Sequence, residues 1–292
     1  MLLDDKKIKF LEEKANEIRQ SIIEMLLEAG SGHSAGPLGM ADIFTALYFH
    51  ILKHDSKKPD WEERDRLVLS NGHICPVQYA TMAHAGYFPL KELKTLRKFG
   101  SRLQGHPHRE WLAGIETSSG PLGSGLSQAA GMALGMRGNK CDGSSPDCIS
   151  WIYCLMGDGE LDCGQVWEAT MLAGKEKLYN IIGIIDRNNI QIDGFTENVM
   201  PLEPLKEKFE SFGWHMQEID GHNIREIVDA VEKAKTIFNK PSMIISRTIP
   251  GKGVSFMERE FSWHGKSPKP EEAKEALKQL RTLQGKIKSE ND

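Results

Sequence analysis

The residues with most chemistry to offer sit in glycine-rich loops. Gly157-Asp158-Gly159 follows directly on an apolar run at 149–156. Flanking glycines leave little side-chain bulk around that carboxylate. Backbone N–H groups can then approach a phosphate while the carboxylate holds a hard cation. A second apolar run, Ile181-Ile182-Gly183-Ile184-Ile185, ends in Asp186-Arg187-Asn188-Asn189-Ile190. If the two runs are adjacent parallel strands, Asp158 and Asn188 meet at one sheet edge. They would supply oxygen ligands suited to magnesium, with phosphates of a ligand completing the shell. The second group is histidine, in Ser31-Gly32-His33, Ser70-Asn71-Gly72-His73, Gly105-His106-Pro107-His108 and Trp263-His264-Gly265. An imidazole with an unperturbed pKa of about 6.5 gives and takes protons near neutrality.

These loops need elements to hold them. Ile8, Leu11, Ala15, Ile18, Ile22, Met25 and Ala29 recur at spacings of three and four, which predicts an amphipathic helix stopped by Gly30. The glycine- and proline-rich stretch 31–39 is expected to be irregular, and a helix is expected at 40–52. A polar link at 57–60 precedes a short buried strand at 67–69. Helical segments are expected to about Phe99, then a loop at 100–120. Gly120-Pro121-Leu122-Gly123-Ser124-Gly125 opens a small-residue helix at 126–136. Residues 149–156, 163–175 and 181–185 read as a βαβ unit. Strands apolar on both faces belong to parallel sheets covered by helices on both sides. Helices near 202–212 and 224–238 alternate with strands near 215–219 and 243–246. The fold class is α/β, a doubly wound, mostly parallel sheet with helices on both faces. The expected division is one domain over 1–267 and a charged helical tail over 268–292.

Composition narrows the function classes. The chain has 292 residues and a formal net charge of -4, with an isoelectric point near 6.2. That argues against a nucleic-acid binder. No apolar run is long enough for a membrane span, and the first residues carry no apolar signal core. Five cysteines suggest no disulfide framework. The spacings of Cys141 with Cys148 and of Cys154 with Cys163 fit no zinc pattern. A reduced, cytoplasmic setting is expected.

The pairing of Gly157-Asp158-Gly159 with Asn188 resembles the thiamin-diphosphate-binding motif. The histidine loops, Gly120-Pro121-Leu122-Gly123, Asp186-Arg187-Asn188 and Trp263-His264-Gly265 occur in the order seen in transketolases, across most of the chain. The chain thus resembles the diphosphate-binding, N-terminal part of the transketolase family. The resemblance implies that Asp158, Asn188 and the main-chain oxygen of Ile190 ligate magnesium, with calcium as a substitute. Gly157 and Gly159 would face the diphosphate of thiamin diphosphate, with His73 and His264 beside it. Gly120, Pro121 and Leu122 would lie against the aminopyrimidine, and Ile192 near the thiazolium. His33, His106 and His264 would line the substrate channel and move protons to and from sugar hydroxyls, while the cofactor acts as electron sink.

One position departs from the family. The glutamate usual five residues after the motif aspartate is Cys163 here, whereas Glu168, carried over with the cofactor set, is retained. That puts proton coupling between two cofactor sites in doubt, with Glu160 or Asp162 as partial substitutes. Cys163 is expected to be a small buried residue at a helix start, with a redox-sensitive thiol as the sharper alternative. His108 has no counterpart in the family motif. His50, His54, His84, His215 and His222 are expected to be structural.

The activating glutamate of the family lies on a pyrimidine-binding domain, for which the residues after Gly265 are too few. The resemblance therefore implies half an enzyme. A second polypeptide would carry the pyrimidine-binding and C-terminal domains in a two-plus-two heterotetramer. The apolar face of the first helix and the small-residue helix after Gly125 are candidate contact surfaces. The expected reaction is transfer of a two-carbon ketol unit from a ketose phosphate to an aldose phosphate. Alternatives are a related enzyme for a sulfonated or branched ketose, the alpha chain of a 2-oxo acid dehydrogenase, a 1-deoxyxylulose-phosphate synthase half and a silent regulatory subunit.

Overall fold

The computed structural model of the protein describes residues 3–136 and 149–282. Helix α1 (Asp5–Ala29) begins where the Asp4 carboxylate accepts the Lys7 N–H at 2.7 Å. It ends at Gly30, whose φ of 64° suits glycine. Its apolar stripe, including Leu11, Ile18, Ile22 and Leu26, is fully buried. That face, expected as a contact surface for another chain, is occupied by the chain's own helices.

The 31–39 stretch contains a short helix, α2 (Ala35–Gly39), contrary to the expectation of irregular chain. Pro37 falls in its first turn, where a missing N–H costs nothing. Helix α3 (Ala41–Ala46) runs on through a π-helical turn, Leu47–Ile51. Strand β1 (Arg66–Leu69) leads into α4 (Cys75–His84), again with a proline in its first turn. Beyond α4 the expected helical stretch is loop, broken by a 3-10 turn at Leu90–Thr95. Helix α5 (Ser124–Met136) follows.

The βαβ unit is β2 (Ile152–Gly157), α6 (Gly164–Lys175) and β3 (Ile181–Arg187). A small hairpin of β4 (Ile190–Gln191) and β5 (Gly194–Phe195), absent from the sequence reading, leads to α7 (Thr196–Val199). Then come α8 (Leu205–Ser211), β6 (His215–Asp220), α9 (Ile224–Lys235), β7 (Ser242–Arg247) and α10 (Pro270–Thr282). Helix α10 buries Ala273, Ala276 and Leu280 and packs on α1.

The five long strands form one parallel sheet in the order β1-β2-β3-β7-β6. Alternate residues feed two cores. Tyr153, Leu155, Ile182, Ile184 and Ile244 join α1, α3, α4 and α9 on one face. Ile152, Cys154, Met156, Ile181, Ile185 and Ile245 join α5, α6 and α8 on the other. Each fully buried aliphatic side chain contributes roughly 1.5–3 kcal/mol, which fixes the register of the central strands. That register places Gly157 opposite Asp186 at the carboxyl edge. Among the described residues no helix is long and apolar enough to cross a membrane. Cys75 and Cys154 are buried thiols and Cys163 is half-buried; Cys141 and Cys148 lie outside the described residues.

Candidate active site

Two adjacent strand ends build the charged half of the site. The Asp158 N–H donates to the Asp186 carbonyl at 3.2 Å, so the turn after β2 is tied to the end of β3. The Asp158 carboxylate is buried. Its Oδ1 accepts the Gly159 N–H at 2.9 Å. Its Oδ2 accepts the Asn189 N–H at 2.7 Å and an Arg187 guanidinium N–H at 3.0 Å. Arg187, also buried, donates further to Thr196, Glu197 and Glu203. Burial pushes the Asp158 carboxyl up to about 6, against the pull of Arg187.

Asn188 is oriented by its neighbours. Its Nδ2 donates to the Asp186 carboxylate at 2.8 Å, and its Oδ1 accepts the Ile190 N–H at 3.0 Å. The amide oxygen therefore has a fixed direction and a lone pair to spare. Burial, with Asp158 close by, pushes Asp186 up to about 7, while Thr248 donates a hydrogen bond to it. One carboxylate, one amide oxygen and a main-chain carbonyl suit a hard cation rather than a soft one. Among the described residues no three His, Cys, Asp or Glu side chains converge to make a cage of their own. These oxygen donors would suit a magnesium ion, with phosphate oxygens of a ligand completing the shell. One detail differs from the expected arrangement. The Gly159 N–H, assigned to the diphosphate, is held by Asp158 here.

The histidines form the other half. The rings of His33, His73 and His264 make a triangle with centroids 4.9, 5.5 and 5.1 Å apart. His106 stands beside it and is exposed. A Cβ on Gly72 would come within 3.2 Å of its ring, so the glycine lets the loop bearing His73 approach it. Burial is the largest cause lowering His33, His73 and His264, with the mutual proximity of charges adding to it for His33 and His73; His106, which is exposed, is lowered by partial desolvation and by Arg97. His33 falls to about 4. The cluster is neutral at pH 7 and able to accept protons. The Nδ1 of His33 is buried without a protein partner, which leaves it free for a ligand.

The remaining expected residues divide. Gly120, Pro121 and Leu122 lie in the turn before α5, where the Leu122 carbonyl accepts from Gln165 at 2.9 Å. Leu122 is 39% exposed and Ile192, at the tip of the β4–β5 hairpin, is 72% exposed. Both are open to a bound molecule or a second chain. Glu168 is exposed on α6, on the side opposite its buried residues Val166, Ala169, Thr170 and Ala173. Cys163 caps α6 and is only half-buried, which corrects its expected burial. Its Cβ lies against Gly123.

Sequence reasoning passed over three groups. Arg187 carries the charge that holds Asp158 ionised. Arg97 lies where a Cβ on Gly105 would touch its guanidinium and a Cβ on Gly32 would come within 3.6 Å, between the loops bearing His33 and His106. Its φ of 60° is left-handed, a strain that no sequence pattern signals. Glu160, which its position suggests only as a partial substitute at Cys163, is buried and bonded to three segments.

Residues 11–285 match the family described as "Transketolase, thiamine diphosphate binding domain". The chain is 45% identical to a 6-deoxy-6-sulfo-D-fructose transketolase subunit of Clostridium sp. (strain MSTE9), covering 92% of this chain and 96% of that one. It is 37% identical to an apulose-4-phosphate transketolase subunit of Phocaeicola vulgatus, covering 98% and 99%. Against the transketolase of Homo sapiens it is 38% identical, over 94% of this chain but 42% of the relative. The crystal structure of transketolase from Campylobacter jejuni superposes with a TM-score of 0.86 at 39% identity, over 94% of this chain and 43% of that one. The chain thus spans nearly the whole length of the relatives named as subunits and about two fifths of the single-chain enzymes.

Proposed function

Since the chain belongs to the transketolase family, through its thiamine diphosphate binding domain, we propose that it is the N-terminal subunit of a two-subunit transketolase. The observation that carries this reading is the pairing of Asp158 with Asn188 across the ends of β2 and β3, in a chain as long as the relatives named as subunits. The activity is transfer of a two-carbon ketol unit from a ketose phosphate to an aldose phosphate.

Asp158, the Asn188 amide and the Ile190 carbonyl would hold magnesium, and with it the diphosphate. Thiamin diphosphate, when bound, supplies the electron sink for carbon–carbon cleavage. Gly120, Pro121 and Leu122 would support the aminopyrimidine, and Ile192 would contact the thiazolium. His73 and His264 would face the diphosphate end. His33, His106 and His264 would take protons from and return them to sugar hydroxyls, since the surroundings of each favour the neutral imidazole. A second polypeptide would carry the pyrimidine-binding and C-terminal domains, in a two-plus-two arrangement in the cytoplasm. The exposed Leu134 of α5 and Met171 and Leu172 of α6 are where that partner would seat. Helices α5 and α6 pack side by side.

A second reading concerns the substrate. The relatives named for 6-deoxy-6-sulfo-D-fructose and apulose-4-phosphate favour a sulfonated or branched ketose as donor for this chain too. Both readings meet one experiment. The tagged chain is recovered from its own cells with whatever copurifies, and the complex is assayed with magnesium, thiamin diphosphate and a panel of ketose donors. A stoichiometric partner and ketol transfer support the proposal, and the preferred donor decides between the readings. A chain recovered alone and inert overturns both.

A further inference from the structure

The buried carboxylate of Glu160 joins three parts of the site. It lies in the 3-10 turn Gly159–Asp162, directly after the Gly157-Asp158-Gly159 turn. Its Oε1 accepts the Gly123 N–H at 2.6 Å and the Ser70 hydroxyl. Its Oε2 accepts the Gly157 N–H at 3.1 Å. Ser70, at the end of β1, passes the connection on by accepting the Gly125 N–H at 3.0 Å. The Gly123 and Gly125 amides lie at the start of α5, where a negative charge is favoured. Close packing reinforces the join. A Cβ on Gly125 would collide with Ser70, and one on Gly123 would meet Cys163 at 2.7 Å. Gly123 also has a φ of 86°, which only glycine adopts readily.

Resting on the cofactor reading above, we propose that Glu160 is a positioning residue that locks the 120–125 turn to the Asp158 turn. The support for an aminopyrimidine is thereby set at a fixed distance from the diphosphate end. Glu160 does not stand in for the glutamate that Cys163 replaces. Both its oxygens are turned into the chain and taken by donors of the chain's own loops, so neither reaches toward a neighbouring site.

The test uses the complex of this chain with its copurifying partner. Amide exchange is first read without cofactor. In Glu160→Ala the Gly123 and Gly125 amides should exchange about tenfold faster, whereas Glu160→Gln keeps one acceptor oxygen and most of the protection. Affinities for magnesium thiamin diphosphate and magnesium pyrophosphate are then compared. Glu160→Ala should weaken thiamin diphosphate about tenfold and leave pyrophosphate within about threefold, with Glu160→Gln recovering most of the loss. Equal losses for both ligands would make Glu160 a general support of the turn and overturn the proposal, as would unchanged exchange or affinity. If Glu160→Ala does not fold, Ser70→Ala, which breaks the link from Glu160 to the Gly125 N–H, carries the same comparison with the same deciding outcomes. A wild-type complex that binds neither ligand overturns the cofactor reading itself, a failure visible without any variant.

Discussion

His222 Nδ1 lies 2.8 Å from Asp42 Oδ2, joining residues 180 positions apart in the buried core. The Nε2 of His222 accepts the Ile249 N–H at 2.8 Å, so the ring proton sits on Nδ1 and is donated to the carboxylate. Arg19, fully buried, forks onto the same carboxylate and also holds the Leu38 carbonyl at 3.0 Å. The network fastens α1, α3 and the segment after β7 to one another. Removing Asp42 leaves a buried guanidinium uncompensated. Asp42→Ala should cost about 3–5 kcal/mol of stability, measured by urea unfolding. A loss under about 1 kcal/mol would show that the network contributes little.

Asp158 carries the metal prediction. Asp158→Ala should abolish magnesium-dependent binding of thiamin diphosphate in the assembled complex, followed by calorimetry. Asp158→Asn keeps the shape and one oxygen but not the charge facing Arg187, and should retain a weakened affinity. Undiminished binding in Asp158→Ala would remove this residue from the site.

The histidine triangle predicts a pH dependence of stability. Burial, helped by His264, Arg97 and His106, holds His33 near 4, whereas an unfolded chain's imidazole titrates near 6.5. Between those values the unfolded state binds the extra proton, so stability falls as pH is lowered from about 6.5 to about 4. His73 and His264, which face His33, act in the same direction. Thermal unfolding of His33→Asn across that window should show a shallower decline than the wild type. An identical slope would mean that His33 is not held neutral by its surroundings.

Turnover should separate proton-moving histidines from structural ones. His33→Ala and His106→Ala should each lower kcat by about 10²–10⁴-fold while circular dichroism stays unchanged. Wild-type kinetics in both would return them to ordinary loop residues.

The surface made by α5 and α6 gives a prediction about assembly. Met171→Asp combined with Leu134→Asp places charge on the exposed apolar patch without touching either core. The folded chain should then lose its copurifying partner. Full recovery of the partner would move the contact elsewhere.

Much of this was legible in the sequence, for reasons that can be named. The runs at 149–156 and 181–185 are apolar on both faces because each strand feeds two cores, and that pattern alone implies a parallel sheet. The juxtaposition of Asp158 and Asn188 at one edge follows from it. The helix α2 was not legible because Gly36 and Pro37 read as breakers, though a proline in a first turn breaks nothing. Glu160 and Arg187 were passed over because their importance comes from burial against distant segments. Glu160 meets Ser70, 90 residues earlier, and no local spacing shows that. Arg97 depends on a left-handed backbone that a basic residue type does not announce.

The Asp158–Asn188 pair and the 120–125 turn come from one stretch of neighbouring elements. The histidine triangle does not: His33 follows α1, His264 precedes α10, and the two loops are joined where the Ser34 hydroxyl donates to the Lys266 carbonyl at 2.6 Å. During synthesis from the N-terminus, the edge bearing Asp158 and Asn188 can take shape while His264 is still inside the ribosome. The histidine triangle closes last, when the late loop returns to the earlier one. In a nascent chain the strand-end turn would therefore be in place before the three imidazoles could meet.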